Sequence, residues 1–373
     1  MFSLLKAIRS KWNFTKPQKK EILVYDSVSM DVAELLFNKD NYEVLNVRNE
    51  DVNIFILFKT IFKTGIKNIK DNYKLNFIKQ VSPKVIFSVF TYNPSFFRLK
   101  NLYPNALYIS LSISCCDRRF FSACEKYYEN NLNPKLKSDY LFVVGDYYKD
   151  LFIKYIDTKI VNIGSIINNY HYLKNYSFQK KLDSILFISQ VYSLPDNEIY
   201  PKYKAKINNE KKIIHALEKY CKKNSLRLKI ATRNNKNAIE FYKFFFGNGD
   251  WKVYPRIDLN TSYDLVNESS LIIFTNSFLG LEALSKGKRC VAFPPEEFPI
   301  EEFVKKYSDH GPFWSRTFNY EILEQYIKNI LDHSDEKWKE LVRENIGDII
   351  KYDPKNTILK GTLKSLKIEN ILN

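Results

Sequence analysis

The run Thr275-Asn276-Ser277-Phe278-Leu279-Gly280-Leu281-Glu282-Ala283 joins an apolar stretch, 271–274, to a helical pattern. Asn276 or Ser277 can cap that helix, and the free N–H groups with the helix dipole suit a phosphate. Gly280 sits in the first turn, where a missing side chain permits close backbone approach. Glu282 lies about one turn in and can accept hydrogen bonds from ribose hydroxyls. The same residues also suit an ordinary capped helix, with Gly280 there for packing and Glu282 solvated.

Other candidates stand where apolar runs end. Asp26, in Asp26-Ser27-Val28-Ser29, can take a proton from an acceptor hydroxyl, or can simply cap the following helix. Asn93 and Arg98 follow the run at 85–89, and the turn 110–117 follows the run at 107–111. Ser189, Gln190 and Arg233 end two later runs in the same way. Arg233 suits a phosphate or carboxylate clamp, or is a solvated strand end. The 4 His form no clustered pair, and no Asp-x-Asp pair is present, so no metal site is predicted. Cys115, Cys116, Cys124, Cys221 and Cys290 are odd in number and irregular in spacing, which fits neither a disulfide framework nor a zinc site. A reducing, cytoplasmic compartment fits them best.

These residues need strand ends and helix starts to hold them, and the pattern supplies both. From residue 21, short apolar runs at 22–25, 42–47, 85–89, 107–111, 140–144 and 159–163 alternate with helical stretches, as in βαβ units around a parallel sheet. The polar, Tyr/Asn-rich segment 166–183 reads as a linker. A second series follows, with strands at 185–188, 226–230, 251–254, 271–274 and 290–293, and a helical tail. The expectation is an α/β chain of two Rossmann-like, doubly wound domains at 21–165 and 184–345, with a tail at 346–373. Residues 1–20 carry Lys6, Arg9, Lys11, Lys16, Lys19 and Lys20 and no acid, and Met1, Leu5, Ile8 and Trp12 share one helical face. They read as a basic amphipathic helix ending near Pro17, either a foot on anionic lipid through residues 1–18 or a helix packed on its own domain.

The whole chain of 373 residues carries 58 Lys and Arg against 42 Asp and Glu, a net charge of +16 that favours an anionic partner. No zinc finger, RNP-like strand, Gly-x-x-Gly clamp or Walker loop accompanies that charge, so nucleic acid is not the expected partner. No apolar run is long enough to span a bilayer.

Taken in order, the motifs resemble the bacterial surface carbohydrate biosynthesis family, whose members look like GT-B glycosyltransferases. The matching pieces include Val24-Tyr25-Asp26-Ser27-Val28, Phe96-Phe97-Arg98-Leu99, Gly164-Ser165, Ile185–Gln190 and Ile230-Ala231-Thr232-Arg233. They continue through Ser262-Tyr263-Asp264-Leu265, Thr275–Ala283, Gly287-Lys288, Gly311-Pro312-Phe313-Trp314, Trp338, Tyr352-Asp353 and Asn356. Two departures stand out. Phe278 is bulkier than its counterpart, and Ile109–Ser114 replaces a Gln-Asn-Gly-like turn, which changes the acceptor side.

The resemblance implies a metal-independent glycosyltransferase without a resident cofactor, working at the inner face of the bacterial plasma membrane. The second half would hold a nucleotide-sugar donor through Gln190, Arg233, Asn276, Ser277, Gly280 and Glu282. The first half would hold a glycan or glycolipid acceptor near Ser27, Asn93 and Arg98, with Asp26 as base. A CMP-linked Kdo or nonulosonic acid is the implied donor. The rivals are a CDP-polyol phosphotransferase and a non-catalytic membrane scaffold, the latter motivated by the altered 110–114 turn.

Overall fold

A computed structural model describes residues 11–48, 51–89, 94–113, 118–129, 133–147, 149–171, 182–191, 200–232, 238–295 and 309–368. The chain divides into two compact units, residues 1–163 with 356–373, and residues 164–355.

Unit 1 holds strands β1 (Lys11–Asn13), β2 (Ile22–Tyr25), β3 (Tyr42–Leu45), β4 (Asp51–Asn53), β5 (Val85–Val89), β6 (Leu107–Leu111), β7 (Leu136–Val143) and β8 (Ile156–Asn162). Six of them form a parallel sheet in the order β3-β2-β5-β6-β7-β8. Every residue of β2 and β5 is buried, as parallel strands covered on both faces require. Helices Ser95–Leu102, Arg118–Tyr128 and Lys149–Tyr155 supply an aromatic core in which Phe96, Phe97, Phe120, Phe121 and Phe152 meet largely edge to face or tilted.

Unit 2 holds β9 (Ser184–Ile188), β10 (Arg227–Thr232), β11 (Trp251–Pro255), β12 (Leu271–Phe274) and β13 (Arg289–Ala292), all parallel, in the order β11-β10-β9-β12-β13. The chain enters mid-sheet at β9, winds outward through β10 and β11, then crosses back to β12. The strand order therefore reverses between β9 and β12, where doubly wound sheets open a crevice. In unit 1 the equivalent reversal lies between β2 and β5.

Two expectations are corrected. Residues 11–13, assigned by pattern to an amphipathic helix, form β1, which pairs in parallel with β4 from Lys11↔Asp51 to Asn13↔Asn53. Asn53 Nδ2 donates to the Thr15 carbonyl at 2.6 Å, fixing the pair. Trp12 and Asn13 are weak helix formers, so partners distant in sequence decide their conformation. The expected helix over residues 1–10 lies outside the described residues.

The second correction concerns the linker. Residues 166–170 form the helix Ile166–Tyr170 within unit 2, and that unit continues to residue 355. Gly164, at φ +73°, lies against the Lys351 carbonyl, where a Cβ would come within 2.4 Å. Asn169 Oδ1 accepts from the Asp353 N–H at 2.9 Å, and Asn168 Nδ2 donates to the Glu282 carbonyl at 3.1 Å. These side-chain bonds fold a polar, linker-like sequence onto the second sheet. Residues 172–181 of the expected linker lie outside the described residues.

Candidate functional site

At the strand reversal of unit 2 lies a cavity of about 550 Å³. Its walls are the strand ends: Ile188, Ser189 and Gln190 after β9, Ala231 and Thr232 on β10, Arg256 after β11, and Asn276–Leu279 after β12. Ser262, Tyr263, Glu282 and Ile167 complete it. The volume falls within the range of small-ligand sites.

The helix Phe278–Ser285 opens on this cavity. Ser277 is its N-cap residue in extended geometry (φ −83°, ψ 130°), yet its side chain makes no capping bond. The first N–H groups of a helix have no intrahelical partner, so this end is available to an anion. Arg256, half-buried and held by its Nε to the Asp258 carbonyl at 3.2 Å, brings a cation to the same space. Asn276 is half-buried, and its Oδ1 pairs with Thr275 Oγ1 at 3.2 Å.

Two buried carboxyl groups brace the walls, Glu210 from outside the lining and Glu282 from within it. Glu210, on the helix Tyr200–Lys223, accepts from Ser189 Oγ at 2.5 Å and from the Gln190 N–H at 2.6 Å. Glu282 accepts from Ser165 Oγ and, at 2.8 Å, from the Tyr263 hydroxyl. Burial raises both carboxyls to about 7, against the pull of their hydrogen bonds. Tyr263 stacks on His171 with ring centroids 4.7 Å apart and planes 8° apart. Lys286 donates to the His171 carbonyl at 2.6 Å and lies 5.4 Å from the Tyr263 ring centre; burial lowers it to about 8.

The sequence-selected residues divide accordingly. Gln190, Asn276, Ser277 and Glu282 all line the cavity. Gly280 lies behind it: a Cβ there would meet the Phe274 ring at 2.3 Å, so glycine is required by helix-on-strand packing. Glu282 is buried, not solvated, and each of its oxygens already accepts a hydroxyl. Arg233 and Asn93 lie outside the described residues, as do Cys115, Cys116 and residues 114–117 of the altered turn. Arg256 and Glu210 escaped the sequence reading. The signal for Arg256 was present, because it follows a strand just as Ser189 does. Glu210 sits in a Lys-rich helical pattern that gives no hint of burial.

In unit 1, Asp26 follows β2 at φ 81°, a conformation uncommon outside glycine. Its carboxylate accepts from the Val28 N–H at 3.3 Å and from Arg48 Nε at 2.7 Å, and the residue is buried. It thus caps the short turn Ser27–Ser29 while pairing with a half-exposed arginine. Arg98, on the helix Ser95–Leu102, is paired with Asp71. No group of His, Cys, Asp and Glu suited to a metal occurs among the described residues.

Solved structures share this architecture. The chain is similar to a "putative UDP-N-acetylglucosamine 2-epimerase" from Listeria monocytogenes, with TM-score 0.55 and 13% identity over 93% of this chain and 97% of that one. It is similar to a UDP-N-acetylglucosamine 2-epimerase with TM-score 0.53 and 12% identity over 94% and 97%. It is similar to MnaA of S. aureus, solved with UDP, with TM-score 0.51 and 14% identity over 94% and 97%. At such identities the likeness is one of fold, and it supports the two Rossmann-like domains of the GT-B architecture. No curated protein matches the sequence. A family model does match, over residues 118–367, and the chain belongs to the family it describes, "putative O-antigen biosynthesis protein".

Proposed function

We propose that this protein is a metal-independent glycosyltransferase of surface polysaccharide assembly, using a nucleotide-sugar donor. The observation that carries the reading is the unit 2 cavity, of small-ligand size, which an uncapped helix start and Arg256 both line. The opening N–H groups and Ser277 take the donor phosphate, and Arg256, joined by Arg233, offsets charge on the departing nucleotide. Fixed positive groups are worth most where negative charge develops. Gln190 and Asn276 orient the base and sugar. A carboxylate offers about four acceptor sites, so a ribose contact by Glu282 uses those left by Ser165 and Tyr263.

In the transfer, the acceptor hydroxyl oxygen bonds to the anomeric carbon, the bond from that carbon to the donor phosphate oxygen breaks, and the acceptor proton passes to Asp26. Ser27, Asn93 and Arg98 belong to the acceptor side. A CMP-linked acidic sugar is the proposed donor and a glycan or glycolipid the acceptor, with the protein peripheral at the inner membrane face. Among the described residues no helix is long and apolar enough to cross a membrane.

Thermal stabilisation of the purified protein by CMP, CDP, UDP, GDP and ADP tests the donor site. A ligand bound only to the folded state adds about 2.7 kcal/mol at a hundredfold excess over Kd. CMP is expected to shift the transition. A shift with CDP instead would favour polyol-phosphate transfer. A shift with UDP, the nucleotide in the S. aureus neighbour, would overturn the CMP assignment but keep the site. No shift with any nucleotide would overturn the donor site and favour a scaffold. Conversion of a nucleotide sugar into an isomeric nucleotide sugar, with no acceptor present and no nucleotide released, would indicate isomerisation rather than transfer.

A further inference from the structure

The helix Ile54–Thr64 of unit 1, sequence IFILFKTIFKT, is apolar around most of its circumference, which normally marks a helix buried on all sides. Only one side is covered. Ile56 and Thr60 face inward, and Thr60 Oγ1 accepts from Asn76 Nδ2 of the neighbouring helix Ile69–Val81 at 3.0 Å. The outward side carries Phe55, Phe58 and Phe62, exposed by 50%, 53% and 85%, with Ile66 at 79% just past the helix end. The spacing of three and four residues sets the three phenylalanines along one stripe, and the Phe58 and Phe62 ring centres lie 6.4 Å apart.

The charges beside that stripe have one sign. From residue 52 to residue 70 the chain contains Lys59, Lys63, Lys67 and Lys70 and no acid. On a helical projection Lys59 and Lys63 flank the phenylalanines on one edge. Lys63 and Lys67 are exposed, while Lys59 is held by Gln80 Oε1 at 3.2 Å. Trp12 and Phe14, also exposed, lie on and just after β1, alongside the strand that leads into this helix.

We propose that the stripe Phe55–Phe58–Phe62–Ile66 is a docking surface for an anionic lipid bilayer, inserting its rings among the acyl chains while the lysines meet lipid phosphate. Aromatic rings edged by lysine are what an interfacial helix requires, and an acid-free edge is complementary to anionic headgroups. The inference is independent of sugar transfer, because vesicle binding is read without nucleotide, and it names a surface separate from residues 1–10.

The test is flotation of the full chain with phosphatidylcholine vesicles, with and without phosphatidylglycerol. The protein should float with the anionic vesicles. The variant Phe58→Ser/Phe62→Ser should lose about a hundredfold in partitioning, since each buried ring contributes about tenfold or more. Lys63→Glu/Lys67→Glu should weaken binding to anionic vesicles while leaving nucleotide-induced stabilisation intact. Both variants change exposed side chains, and an unaltered thermal transition checks that they fold. A fluorophore on Phe62→Cys should shift to the blue on vesicle addition. Three results would overturn the proposal: no flotation of the full chain, full binding by Phe58→Ser/Phe62→Ser, or a stripe covered by a second copy, seen as a dimer that the same variant dissociates. Loss of binding on deleting residues 1–10, with the phenylalanine variant unimpaired, would place the contact on the terminus instead.

Discussion

Both parallel sheets reverse their strand order part-way across, and the two reversals are filled with different chemistry. In unit 1 the carboxylate of Asp26 stands at the end of β2, paired with a half-exposed Arg48. In unit 2 the carboxyls come from helices behind the strand ends, and Glu210 and Glu282 are buried under hydroxyl and backbone donors. The unit 2 cavity is lined by Arg256 as well as by Glu282, beside an uncapped helix start. All three carboxyls are buried, so the two ends differ in the partners that hold them: a guanidinium in unit 1, hydroxyl and backbone donors in unit 2. The difference teaches that a carboxyl near a strand end can be held against a cation or among neutral donors, and that the fold does not set which.

The largest test of that contrast is pH. Glu210 and Glu282 are raised to about 7 in the folded chain by burial, so the folded state binds protons more tightly than the unfolded state. Their contribution to stability is full below the ordinary carboxylate value near 4.5 and is lost as pH rises through about 7. Each tenfold gain in proton affinity is worth about 1.4 kcal/mol, so each carboxyl contributes a few kcal/mol over that window. Urea midpoints should therefore fall from pH 5 to pH 8, and Glu210→Gln/Glu282→Gln should flatten the fall. A wild-type midpoint that rises across this window would break the contrast.

Next in size is truncation in the cavity wall. Glu282→Ala leaves the Ser165 and Tyr263 hydroxyls buried without their acceptor and opens space, at a cost of about 2–5 kcal/mol. Glu282→Gln keeps the volume and one acceptor oxygen, and its amide N–H can donate to the other hydroxyl, so it should cost less than half as much at neutral pH. Equal losses by the two variants, read by denaturant titration, would mean that the carboxylate charge itself is what the unit requires.

Much of this scaffold was legible in the sequence. The strands at 85–89, 107–111 and 271–274 stand at their expected bounds because they are buried along almost their whole length, so their residues carry little but apolar character. β1 and β4 were hidden, because three-residue strands held by each other and by Asn53 leave no periodic trace. The cavity was legible where residues follow a strand directly, as Ser189-Gln190 and Asn276-Ser277 do. Arg256 was missed because the strand was ended at residue 254 instead of Pro255. Several family-like motif residues serve packing instead. Trp338 Nε1 donates to the Gly287 and Lys288 carbonyls at 3.1 Å, and a Cβ on Gly311 would meet the Trp314 ring at 2.1 Å.

Arg256 gives a test of intermediate size. A charge-assisted hydrogen bond to phosphate contributes about 1.5–3 kcal/mol, so Arg256→Ala should weaken nucleotide binding by roughly ten- to a hundredfold. Arg48→Ala, at the other reversal, should leave nucleotide affinity unchanged by calorimetry. An Arg48 effect as large as that of Arg256 would erase the division of labour between the units.

The smallest effect on stability should come from Asp26→Asn. The substitution keeps the shape of the buried side chain and leaves Arg48 half-exposed and able to hydrate, so it should cost only about 1–2 kcal/mol. Asparagine tolerates the positive φ of residue 26 nearly as well as aspartate, and its side-chain oxygen can still accept from the Val28 N–H. Folding and nucleotide-induced stabilisation should therefore survive almost unchanged. If Asp26 takes the acceptor proton, transfer should nevertheless fall by about a hundredfold or more, because an amide cannot act as the base. Small stability loss with large activity loss would mark Asp26 as the reacting group of unit 1. Small losses in both would reduce it to a turn cap, and the contrast between the two reversals would then be one of architecture without a matching division of chemistry.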